Sequence, residues 1–369
     1  NGDHNIGIGT YTFQKPLTTD YNIAIGYKAG QWQTGGKVTL LGAEAGLGVS
    51  GSSGEIGIVA IGYQASKANT TGSETVAVGY QALTANTTGD YNTATGHHSL
   101  RLNTTGSNNT ATGNLALGNT STGSSNTAIG YRAVIANTTG SGSVGVGYET
   151  LYYATTEGSL TAVGYQALYS NTTGTGTAGF GYQTLYSNTT GDYNTAFGSI
   201  ALYSNTTGSW NTASGYQALT DNTTGHSNTA SGYRALYDNI NGSYNTTSGA
   251  YALYTNQSGD YNSAFGYQSL YSSSTQDYNS AFGYQALKEN TNGSYNTASG
   301  ALSLNKNTNG EFNTAVGYSS LYSNTTGDRN TASGSHALGS NTQGQNNVSI
   351  GYQAAYSNTT GNNSVGIGY

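Results

Sequence analysis

The sequence predicts an all-β fold, a parallel β-solenoid or β-roll with about one 17-residue repeat per coil. Three observations carry that prediction. A glycine returns every 17 residues without error from Gly62, Gly79 and Gly96 to Gly351 and Gly368. A chain that keeps one period without insertion builds one unit repeatedly, because every unit must match its neighbours in shape. The segments around these glycines read as short strands and turns, and Leu, Ala, Asn and Tyr each recur in fixed phase, so stacked coils would set like over like.

Within one repeat, the run before the glycine usually reads Asn-Thr-Ala-x, as in Asn194-Thr195-Ala196-Phe197-Gly198. This suits a short strand with Thr195 and Phe197 on one side and Ala196 on the other. Ile23 and Ile25, Val76 and Val78, Thr161 and Val163, and Thr314 and Val316 hold the corresponding positions. Their β-branched bias fits a pleated, half-buried surface. The glycine allows a sharp bend, and a second short strand with Ala-Leu at its centre is expected next. Leu83, Leu100, Leu117, Leu168, Leu202, Leu236 and Leu338 share that phase and form the apolar spine of the stack. The unit closes on Asn-Thr-Thr-Gly, as at Asn188-Thr189-Thr190-Gly191, where Asn and Gly favour turns.

A helix is a poor alternative, since no apolar i, i+3, i+4, i+7 face develops among so many Gly, Asn and Thr. Disorder would suit the polar, glycine-rich composition, but disorder does not need register, and the aromatic residues, 11% of the chain, are held in it. The single proline, Pro16, precedes the strict array, so the body keeps its backbone donors for pairing between coils.

A length of 369 residues ordinarily implies two or three globular domains. A solenoid grows along one axis instead, so one repeat domain over 1–369 is expected, with irregular coils in 1–62 and a strict array over 62–369. Gly9, Gly26, Gly42 and Gly62 are spaced by 17, 16 and 20 residues, and Gly51-Ser52-Ser53-Gly54 reads as a bulged loop in the longest of these. Stacking at about 4.8 Å per coil would give a rod on the order of 100 Å. Asn1 and Tyr369 fall within a coil, which predicts open strand edges that meet further chain or other subunits.

Composition excludes several classes. With Lys plus Arg at 10 and a net charge of -6, no basic patch is available for nucleic acid. There is no cysteine, hence no disulfide or thiol site. No apolar run approaches the roughly 20 residues of a membrane helix. His4, His97, His98, His226 and His336 lack ligand spacing, and Asp90, Asp192, Asp260, Asp277 and Asp328 share a phase without converging on one calcium. No catalytic constellation stands out from the repeat background, so neither an enzyme nor a cofactor is expected.

Function must therefore be read from columns. Tyr165, Tyr182, Tyr216, Tyr233, Tyr267 and Tyr284 follow the repeat glycine, and Tyr169, Tyr186, Tyr203, Tyr237, Tyr254 and Tyr271 stand four residues later. A third column, with Tyr193, Trp210, Tyr244, Tyr261, Tyr278, Tyr295 and Phe312, precedes the strand. Stacked rings with wet hydroxyls shield a ladder and fill grooves between chains, and they are also the chemistry of a sugar-stacking stripe. Asn92, Asn109, Asn126 and the column from Asn194 to Asn347 read as a coil-to-coil amide ladder. Asn69, Asn86, Asn103, Asn137, Asn171, Asn188, Asn205, Asn222, Asn324 and Asn358 each begin Asn-x-Thr/Ser and are candidate glycan acceptors on exposed turns, against plain turn chemistry. Ice binding through Thr189, Thr206 and Thr223 is disfavoured, since neighbouring threonines in Thr-Thr pairs point to opposite sides and form no flat Thr-x-Thr array.

Val76-Ala77-Val78-Gly79, Ser349-Ile350-Gly351 and Ser364-Val365-Gly366-Ile367-Gly368 resemble the head repeats of trimeric autotransporter adhesins, whose pattern is Ser-Val-Ala-Ile-Gly followed by x-x-Ala. The longer unit containing Leu-Tyr-Ser-Asn-Thr-Thr-Gly is similar to repeats of bacteriophage tail-fibre proteins that carry an endosialidase-type chaperone domain. The resemblance spans nearly the whole chain, although the adhesin unit is shorter and no stalk, anchor or chaperone segment is read here. It implies a left-handed parallel β-roll, usually trimeric, serving as a shaft or adhesive head. The expected function is a structural subunit of an extracellular filament or surface fibre, on a cell or virion, that associates with itself as a trimer or head-to-tail filament. The alternative is an adhesin or tail-fibre shaft that binds cell-surface glycans.

Overall fold

A computed structural model describes residues 2–15, 17–50, 56–156 and 158–369. Asn1, Pro16 and the Gly51–Gly54 loop lie outside the described residues. The regular structure among the described residues is 22 strands of three residues each, with no helix. The chain divides into two compact units, Asn1–Gln183 and Thr184–Tyr369, and both are built from the same coil.

In the first unit, β1 (Ile6–Ile8), β2 (Ile23–Ile25), β3 (Thr39–Leu41) and β4 (Val59–Ile61) open a parallel ladder that ends with β10 (Thr161–Val163) and β11 (Ala178–Phe180). In the second unit, β12 (Thr195–Phe197) pairs with β13 (Thr212–Ser214), and successive strands continue to β22 (Val365–Ile367). Sequential parallel pairing in register is the signature of a β-solenoid. The register follows the spacing in the sequence. Thr195 lies opposite Thr212 and Ala196 opposite Ala213, whereas Ile23 meets Thr39 and Thr39 meets Val59, as the spacings of 16 and 20 require.

Each strand turns its middle residue inward. Ala24, Ala77, Ala94, Ala196 and Ala213 are fully buried, while their flanking Thr, Val, Ile, Ser or Phe face outward. Alanine is the usual inward residue where the opposite wall of so thin a coil brings in leucine, although Thr247 takes its place in one coil: Leu83, Leu100, Leu168, Leu202 and Leu236 have no exposed surface.

The expected second strand around Ala-Leu is absent. After Gly79 the chain makes a turn closed by Ala82 N–H donating to Gly79 O at 3.4 Å, with Gln81 at φ 53°. Leu83 follows, also at φ 53°, and Asn86 N–H closes a second turn onto Leu83 O at 3.3 Å. A second strand would run straight where a 17-residue coil must come back on itself; two left-handed residues two positions apart bend it instead. A left-handed leucine costs roughly 1–2 kcal/mol, and full burial of its side chain returns roughly 2 kcal/mol, so the strained corner holds. The repeat glycine makes the sharpest corner. Gly215 has φ +139°, and a Cβ there would lie 2.5 Å from Gly232 O of the next coil.

Candidate functional site

The surface carries ring columns and the interior carries amide columns. Both follow from setting identical side chains one coil apart.

The Asn-x-Thr column is internal. Asn69, Asn86, Asn103, Asn171, Asn188, Asn205, Asn222 and Asn324 are fully buried and Asn137 is 1% exposed; among the ten expected acceptors only Asn358 is partly accessible. In the second unit Asn205 Nδ2 donates to Asn188 Oδ1 at 2.7 Å, Asn222 to Asn205 at 2.7 Å, Asn239 to Asn222 at 2.7 Å and Asn256 to Asn239 at 2.7 Å. Each amide also bonds the carbonyl three residues on, as Asn205 Nδ2 does to Gly208 O at 2.9 Å. Nine of the ten side chains thus leave no room for a glycan in this fold, because their nitrogens are spent inside the core. Burial of an amide is tolerated only when it is hydrogen-bonded, and the ladder meets that demand from coil to coil.

The column that the sequence marks as an amide ladder is one, Asn228 Nδ2 donating to Asn211 Oδ1 at 3.2 Å and Asn330 Nδ2 to Asn313 Oδ1 at 3.1 Å, and it is tied to the backbone as well. Asn211 N–H donates to Asn194 Oδ1 at 2.9 Å, and Asn211 Nδ2 donates to Gly225 O at 2.8 Å. These side chains bridge amide to backbone and so tie the turn of one coil to the strand entry of the next. A second amide-to-amide chain, with the shorter contacts, is the Asn-x-Thr column, which sequence reading places at the surface. A signal for it exists in the repeats. Each asparagine in that column is followed three residues later by glycine, and where Asn gives way to Ala154 or Ser273 the glycine gives way to Glu157 or Gln276. The reason is steric: a Cβ at Gly259 would sit 2.5 Å from Asn256 Oδ1.

The ring columns are outside. Tyr131, Tyr148, Tyr165 and Tyr182 stack at centroid distances of 5.2, 5.0 and 5.3 Å. In the second unit Tyr216 pairs with Tyr233 at 5.6 Å and Tyr267 with Tyr284 at 5.7 Å. Ala250 interrupts that column, and Tyr251 stands edge-on to both Tyr233 and Tyr267. The second column is half-buried: Tyr152 stacks on Tyr169, Tyr186 on Tyr203, and Tyr237, Tyr254 and Tyr271 form a run at 5.3 and 5.2 Å. The longest stack is in the third column. Tyr244, Tyr261, Tyr278, Tyr295 and Phe312 lie 4.8–5.0 Å apart and within 8° of parallel, with the Arg329 guanidinium over Phe312 at 5.7 Å. Desolvation by its neighbours pushes the Tyr261 hydroxyl pKa up, so it stays protonated.

The acidic residues cap backbone. Asp260 Oδ1 accepts from Ser243 N–H and Asp277 Oδ1 from Asp260 N–H, both at 2.7 Å. Asp221 and Asp238 occupy equivalent positions in successive coils, and both carboxyls are pushed above the usual range, chiefly by desolvation. No group of three or more His, Cys, Asp or Glu among the described residues is placed to hold a metal ion. No helix among them is long and apolar enough to cross a membrane.

The outward strand face completes the surface. It holds Thr, Ser, Val, Ile, Leu, Phe and one Ala, and every Lys, Arg, Asp and Glu of the chain lies outside the 22 strands. Phe265 and Phe282 stack there at 5.2 Å. A short Thr-x-Thr array does form on this face, since Thr93 pairs with Thr110 and Thr95 with Thr112. The turn threonines are engaged elsewhere, Thr206 Oγ1 donating to Thr223 O at 2.9 Å. Set against known families and curated proteins, the chain matches no family model and no curated protein.

Proposed function

We propose that this chain is a structural subunit of an extracellular fibre or surface appendage, joined to further copies of itself through its outward strand face and ring columns. The observation that carries the reading is the uncharged strand face. Interface cores are depleted in charged residues, and this face carries none. Eleven strands about 4.8 Å apart and about 10 Å wide present roughly 500 Å² per unit. Two such faces in contact would bury about 1,000 Å², where specific interfaces begin. Isolated exposed apolar groups such as Ile129 at 42% and Phe282 at 42% are ordinary; their alignment along one face is not.

The test is mass by light scattering together with negative-stain microscopy. The reading expects assemblies of more than one copy and elongated particles. It also expects Ile129→Lys combined with Ser231→Lys to shift the population to single chains while circular dichroism is unchanged. A compact monomer at all concentrations would overturn it.

A further inference from the structure

A cavity interrupts the regular surface of the second unit. In the second ring column of the second unit, Tyr322 and Tyr356 flank Gly339, where the repeat calls for a third ring. Rings in this column stack about 5 Å apart, and the coil of Gly339 leaves a gap where one ring is missing. Tyr356 leans over the gap: a Cβ on Gly339 would lie 2.8 Å from Tyr356 Cε2. A cavity of about 410 Å³ remains, lined also by Tyr318, Ser319, Ser323 and His336.

The neighbouring coils depart from the repeat in concert. Position 302 is Leu, 319 is Ser and 336 is His, where Gln or Arg stands in many other coils. His336 lies edge-on to Tyr318 at 5.3 Å and to Tyr356 at 6.3 Å. Its Nδ1 is paired with Ser335 Oγ at 3.0 Å, which leaves Nε2 as the ring's other polar atom. Tyr322 has one face covered by the Lys306 ammonium at 5.2 Å.

We propose that this notch binds one uncharged hexopyranose ring of a glycan. A pyranose has a C–H face and a rim of hydroxyls. The tyrosine rings match the face, while the Ser319 and Ser323 hydroxyls and the His336 imidazole match the rim. No carboxylate, ammonium or guanidinium among the described residues lines the cavity, so a charged ligand would enter without a counter-ion. A plain aromatic ring would fill the gap but leave those hydroxyls unpaired. This site rests on no part of the fibre reading, because a single chain carries it whole.

Saturation-transfer NMR on the whole chain tests it with methyl β-D-glucopyranoside, methyl β-D-galactopyranoside, methyl α-D-mannopyranoside and N-acetyl-D-glucosamine, and with p-cresol as the planar control. At least one glycoside should bind with a Kd on the order of 1 mM, as a ligand of that size allows. Gly339→Tyr restores the column's ordinary residue, displaces the flexible Tyr356 ring, brings a Cβ to 3.1 Å from His336 O, and should abolish binding. His336→Gln, the residue found at Gln268 and Gln285, should weaken binding roughly tenfold and does not depend on the first variant folding. The proposal is overturned if no glycoside binds at concentrations about tenfold above that Kd, if binding survives Gly339→Tyr in a folded protein, or if p-cresol binds and the glycosides do not.

Discussion

Thr120→Asn restores the buried amide chain at one of the two coils where it is broken in the first unit. Asn103 Nδ2 donates to Asn86 Oδ1 at 2.8 Å and to Gly106 O at 2.9 Å, but Asn103 Oδ1 itself has no partner. The residue one coil on is Thr120, fully buried, and its Oγ1 is unpartnered too. The backbone is ready for asparagine: Thr120 N–H closes onto Leu117 O at 3.2 Å, as Asn86 N–H does onto Leu83 O at 3.3 Å. Gly123 keeps the place three residues on free of a Cβ. The new Nδ2 would reach Asn103 Oδ1 and Gly123 O, and the new Oδ1 would face Asn137 Nδ2. An orphaned buried acceptor costs about 1–3 kcal/mol and a satisfied bond contributes about 1 kcal/mol net, so the variant should gain about 2 kcal/mol. Because long arrays unfold without a single transition, the gain is best read locally. Native-state hydrogen exchange over residues 100–140 should slow by about 30-fold, since 1.36 kcal/mol is a factor of ten. Unchanged or faster exchange would refute the claim that amide continuity holds the coils together.

The opposite outcome is expected at the break in the second unit. Ser273→Asn alone should destabilise the second unit, because Gln276 supplies the Cβ that crowds an asparagine oxygen there, and Gln276 Oε1 already accepts from Ser274 and Thr275 N–H at 2.9 and 3.0 Å. Ser273→Asn with Gln276→Gly should stabilise it by about 2 kcal/mol through Asn256 Oδ1, which lacks a partner; a double-mutant cycle read by native-state hydrogen exchange around these coils measures the coupling. Gly215→Ala should cost at least about 3 kcal/mol, since it joins a strained φ to a clash with a backbone carbonyl, and faster native-state hydrogen exchange in the adjoining coils reports it. Asp221→Asn should raise stability at neutral pH. The folded chain holds the Asp221 proton more tightly than the unfolded chain, so wild-type stability rises as pH falls through the folded pKa. The advantage of the variant should therefore shrink through that interval and vanish below about pH 4, where the unfolded carboxyl is protonated as well; a constant advantage across the titration would contradict the assignment.

Much of the coil was legible from the sequence because stacking forces it there. Gly62 through Gly368 give the period, the Thr195-Ala196-Phe197 alternation gives the strand and its inward residue, and the Leu83 phase gives the spine. Two readings failed for physical reasons. Ala-Leu looked like a strand since leucine rarely takes positive φ; only the need to close a coil in 17 residues puts it there, and no local preference records that need. Asn188-Thr189-Thr190 looked like an exposed turn because asparagine is seldom buried. Its burial depends on a partner one coil away. Only the joint loss of the asparagine and the glycine from a single coil, as at Ser273 and Gln276, betrays that dependence. The ring columns were visible as columns, but the Gly339 notch was not, since a missing residue is silent until its neighbours are placed around it.

The interchangeability of the coils has a cost during folding. A nascent winding that skips a turn and docks on the one beyond still finds alanine beneath alanine and amide beneath amide, so the slipped form is only slightly disfavoured. What disfavours it are the misfits: the short step from Ile23 to Thr39, the long one from Thr39 to Val59, and the coil that carries Ser273 and Gln276. These irregular places act as index marks that let a monotonous polymer count its own turns.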